Sequence, residues 1–134
     1  MTLLQDIITY LTNAGVVDGA GIDSFIDFKP ETPDNIVSLH EYQGDPVSPY
    51  TNVVHRSVQI VVRDTSAAKA QAKAMAIYEA LRPKNDDKRV DLTESRWGQV
   101  HIRHVPHKFS QDENDRIHYG FSLGITTDIK KEAN

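Results

Sequence analysis

The stretch over residues 56–83, RSVQIVVRDTSAAKAQAKAMAIYEALRP, constrains the chain most, because its hydrophobic period changes once and abruptly. In its first part the period is two. Val58, Ile60 and Val62 fall on one side, and Ser57, Gln59, Val61 and Arg63 on the other, which makes a strand with one apolar and one mostly polar face. Its β-branched residues suit a pleated surface. Asp64, Thr65 and Ser66 then supply three N-cap candidates in a row. After them Ala67, Ala70, Ala74, Ile77 and Leu81 recur at helical steps with Tyr78 beside them, while Lys69 and Lys73 lie off that stripe. Alanine is the best helix former, and small alanines let a helix lie close to a sheet. Pro83 ends the helix, because helical angles are disfavoured for the residue before it. A strand feeding its own covering helix sets the expected class. It is α+β, a mainly antiparallel sheet of about four to five strands with two helices on one face.

The flanks fit around that unit. Thr2-Leu3-Leu4-Gln5 has the form of a capping box, followed by a stripe of Leu3, Leu4, Ile7, Ile8 and Leu11, with Gly15 as the C′ residue. Residues 22–28 and 35–42 read as strands separated by the extended loop 30–34. Residues 43–52, with Gly44, Pro46 and Pro49, read as a surface loop with Tyr50 as a possible anchor. The charged turn over residues 84–89 leads to residues 90–97 and to a strand over residues 99–105. The last strand alternates most cleanly: Ile117, Tyr119, Phe121, Leu123 and Ile125 face one way, and Arg116, His118, Gly120, Ser122, Gly124 and Thr126 the other. Its apolar face should be buried beside Val58, Ile60 and Val62. The expected organisation is one domain over residues 1–127 and a frayed polar tail over 128–134.

Composition narrows the chemistry. With no cysteine among the 134 residues, disulfides and thiolate metal sites are excluded. No apolar run is long enough to cross a membrane, and Asp6 within the first apolar segment argues against a signal peptide. Net charge is −4, with only residues 82–108 leaning basic, which does not describe a surface that grips nucleic acid. Phosphate-binding glycine loops and nucleophile elbows are absent. His101, His104 and His107 invite a metal reading, but on a strand the first two face opposite sides and the third follows Pro106. The expectation is no catalytic residue, no cofactor and no metal. Asp112, Glu113 and Arg116 are expected to form a structural turn that fixes the start of the last strand.

Several of these pieces, taken in order, carry a resemblance. Gln59, Ile60, Val62 and Arg63 match a Gln-Ile-x-Val-Arg strand, and Pro106, Phe109, Asp112, Glu113 and Arg116 match a turn pattern of the same family. From about residue 35 to 125 the chain resembles the tail terminator or head–tail joining ("minor capsid") proteins of long-tailed phages. Where that family often has an asparagine, this chain has Gly120-Phe121-Ser122. The resemblance implies a structural virion protein at the head–tail junction, made in the host cytoplasm. It would form a homo-oligomeric ring, usually hexameric, that caps the tail tube, stops its growth and joins it to the head connector or head-completion protein. DNA would pass through the lumen without specific binding, and no membrane would be involved.

Two other readings stay open at this stage. One is a head-completion (stopper) or tail-tube protein of the same particle, and the other is a small cytosolic enzyme or ligand-binding domain. A ring subunit must offer two different patches to its neighbours. The segment over residues 84–98 is longer than a plain connection needs. Val90, Leu92 and Trp97 are therefore expected either to anchor a neighbouring subunit or to fold back on their own domain.

Overall fold

Thr2 and Gly15 bracket the first helix, α1 (Leu3–Asn13). Gln5 N–H donates to Thr2 Oγ1 at 3.2 Å, and Thr2 N–H donates to Gln5 Oε1 at 3.0 Å, closing the capping box. At the far end Gly15 takes φ 76°, and Val16 and Gly15 N–H bond Leu11 and Thr12 carbonyls, both at 3.0 Å, as a Schellman motif. A computed structural model describes residues 2–42, 53–84, 86–94 and 96–128. The loop expected over 43–52, with Tyr50, and the tail beyond 128 lie outside the described residues. The other elements are β1 (Ser24–Ile26), β2 (Ile36–Tyr42), β3 (Val53–Asp64), α2 (Ala67–Leu81), β4 (Arg89–Thr93), β5 (Arg96–Ile102), β6 (His107–Gln111) and β7 (Ile117–Asp128).

Of the three N-cap candidates, Ser66 takes the role, accepting from Lys69 N–H at 3.3 Å, while Asp64 accepts from Ser66 N–H at 2.9 Å. Ala70, Ala74, Ile77 and Leu81 are buried, and Ala67, in the first turn, is exposed. The two helices are tied together where Tyr10 Oη donates to Ala80 O at 3.0 Å.

The strands form one seven-stranded sheet in the order β1-β2-β3-β7-β5-β4, with β6 also paired to β7. The expected count of about four to five antiparallel strands is too low, and the sheet is mixed, since β1 runs parallel to β2. The two uncounted strands are β4, in the segment over residues 84–98, and β6, which follows Pro106. Only Ser24–Ile26 of the strand expected over 22–28 pairs with β2, leaving Ile22 and Phe28 exposed. The strand expected over 99–105 is β5, which starts earlier and ends at Ile102, and β6 follows it end to end along the same edge of β7. Ile102 pairs with Leu123 and His107 with Gly120, so residues 103–106 stand opposite only Phe121 and Ser122 and must bulge outward. Pro106, without an N–H, cannot join the ladder.

In the β3–β7 register Val58 meets Leu123, Ile60 meets Phe121 and Val62 meets Tyr119, so the two apolar faces coincide. Both helices contribute to the core cluster on that face. Phe121 is fully buried, and Tyr78 of α2 meets it edge-on at 5.8 Å. On the opposite face Gly120 is required for contact: a Cβ there would stand 2.1 Å from Ile60 O. Across the core, Arg96 Nε of β5 donates to Asp6 Oδ2 of α1, a fully enclosed ion pair.

Candidate functional site

The turn before β7 is built around one carboxylate. Asp112 Oδ1 accepts from Asn114 N–H at 2.9 Å and Arg116 N–H at 3.1 Å, and Oδ2 meets Arg116 Nε at 2.9 Å and His118 Nε2 at 3.1 Å. Asp115 takes φ 60° to complete the reversal. Glu113 is exposed and, among the described residues, takes no part in this network. Desolvation alone would raise the Asp112 pKa. The hydrogen bonds from His118, from the Arg116 and Asn114 amides and from the Arg116 guanidinium outweigh it and hold the carboxyl well below the usual range.

A lowered carboxylate pKa stabilises the fold above its unfolded value, and that stability is lost as pH falls through the folded value. Asp112→Asn should therefore melt earlier than wild type near neutral pH, and the gap should begin to narrow below about pH 4 and go on closing as the pH falls toward the folded value. A gap independent of pH would show that the ionised carboxylate contributes nothing to the fold.

The same turn reaches across to the loop before β2. Arg116 Nη1 donates to Glu31 O at 2.8 Å, with Glu31 Oε1 at 3.4 Å from Nη2 and Asp34 Oδ1 at 3.7 Å from Nη1. Asn114 Nδ2 donates to Glu31 Oε1 at 2.9 Å. From β3, Arg63 Nη2 donates to Pro30 O at 2.6 Å and Pro33 O at 2.7 Å, and its Nε to Asp34 O at 3.0 Å. Lys29 Nζ donates to His118 Nδ1 at 3.3 Å, so the imidazole proton lies on Nε2, toward Asp112.

Both arginines are buried, although Arg63 belongs to the face read as polar. Burial, then the nearby Arg116 charge, lowers the Arg63 pKa against the pull of Asp112, Glu31 and Asp34. A planar guanidinium with five donors can hold several carbonyls of one loop at once. Here two of them fix the backbone of residues 30–34 while the side chains of Glu31 and Asp34 stay largely in solvent.

The other expected sites separate. Val90 and Leu92 lie in the chain's own core, on the strand packed against α1, so they fold back. Trp97 is half-buried on the face away from the helices, with the Arg89 guanidinium 5.7 Å from its ring centroid. His104 of the bulge and His107 at the start of β6 stack edge-on at 4.8 Å. Among the described residues no group of three or more side chains is placed to hold a metal ion.

Arg63 and the Asp112–Arg116 turn, far apart in the chain and both within the motifs of the resemblance, thus meet at one loop. A family model described as bacteriophage tail terminator protein matches residues 10–129. The chain belongs to the phage tail terminator family. No curated protein matches it. Membership of a tail terminator family makes it a structural component of the phage tail. None of its described helices is long and apolar enough to cross a membrane. The sequence reading of this tail terminator placed the loop over 30–34 and His118 on a strand face, but missed Lys29 and the fact that these groups meet. The arginines' partners are backbone carbonyls, which leave no pattern of side chains to find.

Proposed function

We propose that the protein ends the tail tube as a homo-oligomeric ring, hexameric in its family's usual form, that meets the tube on one side and the head connector or head-completion protein on the other. Residues 1–127 act as one domain, the lumen passes DNA without reading it, and no residue acts catalytically. The observation that carries this reading is the family match over residues 10–129. The clamped loop supports it. Burying two guanidiniums to fix exposed backbone pre-organises a contact surface and reduces what ordering costs on assembly. Electron microscopy of the purified protein with and without tail tubes tests the reading. Rings on tube ends, and abnormally long tails when the protein is missing, are expected. A protein that never decorates tube ends overturns it.

Trp97 is proposed as the subunit-contact anchor, since Val90 and Leu92 are used internally. Trp97→Ala should leave the monomer's circular dichroism spectrum intact and weaken association by about 2 kcal/mol, the scale of an interface hot spot. Unchanged ring formation on tubes would remove Trp97 from the interface.

A further inference from the structure

We propose that Arg103 forms an oxyanion pocket that receives a carboxylate from the clamped acidic loop of a second copy of this chain. The proposal rests on the ring reading and states which two surfaces meet in it. Arg103 leaves the bulge between β5 and β6 and folds back over the sheet face that carries Trp97. Gly124 makes room for it, since a Cβ there would stand 3.2 Å from Nη2. Nη2 donates to Ser57 Oγ at 3.0 Å, and Nη1 donates to Tyr42 Oη at 3.4 Å. These are its side-chain partners among the described residues, and neither carries charge. The guanidinium is therefore aimed and exposed with no carboxylate partner among the described residues.

Beside it lies a cavity of about 180 Å³, lined by His55, Arg56, His101, Gly124 and Thr126 among others, with Arg56 paired to Glu41. Residues 96–111 contain no acidic side chain, so the surroundings do not neutralise the site from within that segment.

The complementary surface is on the same chain. Glu31, Asp34, Glu113 and Asp115 are exposed on the clamped loop and its adjoining turn, while Arg63 and Arg116, the cations that hold the loop, are buried behind them. A fixed cationic pocket and a fixed acidic surface at different places on one subunit form a heterologous pair, the kind of contact that closes into rings. Opposite charges set its register. The overall charge of −4 favours the chain's own carboxylates over a polyanion such as DNA.

Sedimentation velocity and cross-linking of the purified protein, at low and high salt, test the pairing. Arg103→Glu and Glu31→Lys/Glu113→Lys should each weaken self-association about tenfold or more, and combining them should restore it. Added salt should weaken wild-type association. Arg103→Gln provides the same readout without touching the loop, and melting curves confirm that each variant folds. Wild-type oligomers unaffected by any Arg103 change overturn the pairing but leave the ring reading standing. A wild-type chain that never self-associates, alone or on tail tubes, overturns both. If Arg103→Glu abolishes retention of double-stranded DNA and leaves the oligomers intact, the pocket takes phosphate and the proposal fails.

Discussion

Replacing Arg96 with alanine is expected to destabilise the protein by about 3–5 kcal/mol, the cost of leaving one partner of a buried ion pair without the other. Arg96 and Asp6 are 2% and 5% exposed, and their contact ties α1 to β5 across the core. Asp6→Ala should cost a similar amount, because it strands the guanidinium in a place where water cannot replace the carboxylate. The double change Asp6→Leu/Arg96→Met should cost far less than the sum of the two. Replacing both members of a buried pair with apolar groups of similar size is often neutral, since their desolvation penalty disappears with them. Urea denaturation of the three variants measures this directly. Additive losses would mean that the two charges do not act as a pair.

Phe121→Ala should cost about 3–5 kcal/mol, the usual range for removing a buried aromatic ring. The ring is 0% exposed, sits opposite Ile60 on β3 and meets Tyr78 of α2 edge-on, so its loss opens a hole bounded by a strand and a helix that cannot both relax inward. A thermal melt followed by circular dichroism should shift strongly downward. A melt barely changed by the substitution would mean that the β3–β7 face and α2 do not enclose the ring as described.

The elements that sequence reasoning located are those long enough to show their own period. β3 and β7 are twelve residues long and alternate over residues 57–63 and 116–126 of the sequence, and α2 repeats its alanines over fifteen. β1 has three residues and a parallel partner, and nothing in three residues distinguishes a strand from a loop. β6 lies beyond Pro106 in the stretch read as a turn pattern, and its pairing with β7 shows only in the register. Val90 and Leu92 alternate as expected, but alternation does not say whether the cover is α1 or a neighbouring subunit. Asp6 and Arg96 are 90 positions apart, and no local pattern joins residues at that distance. At the clamped loop, Asp112 and Arg116 were legible because a turn signals itself in four or five residues. Arg63 was legible as a polar position on a strand and as part of a strand motif, but not as a clamp on residues 30–34.

The placement of β7 has a consequence for how the protein is made. It is the ninth and last of the described elements, yet it lies inside the sheet, flanked by β3 on one edge and by β5 and β6 on the other. During synthesis the earlier strands leave the ribosome with an open gap where β7 belongs. Val58, Ile60 and Val62 cannot be enclosed, and Arg116 cannot reach the loop, until residues 117–128 follow. A nascent chain arrested before that point should be protease-sensitive throughout and bound by holdase chaperones. Release of a few more residues should convert it to the resistant form in one step. A subunit that folds only when β7 arrives presents no half-finished acidic loop or arginine pocket to its neighbours, so assembly draws only on completed copies.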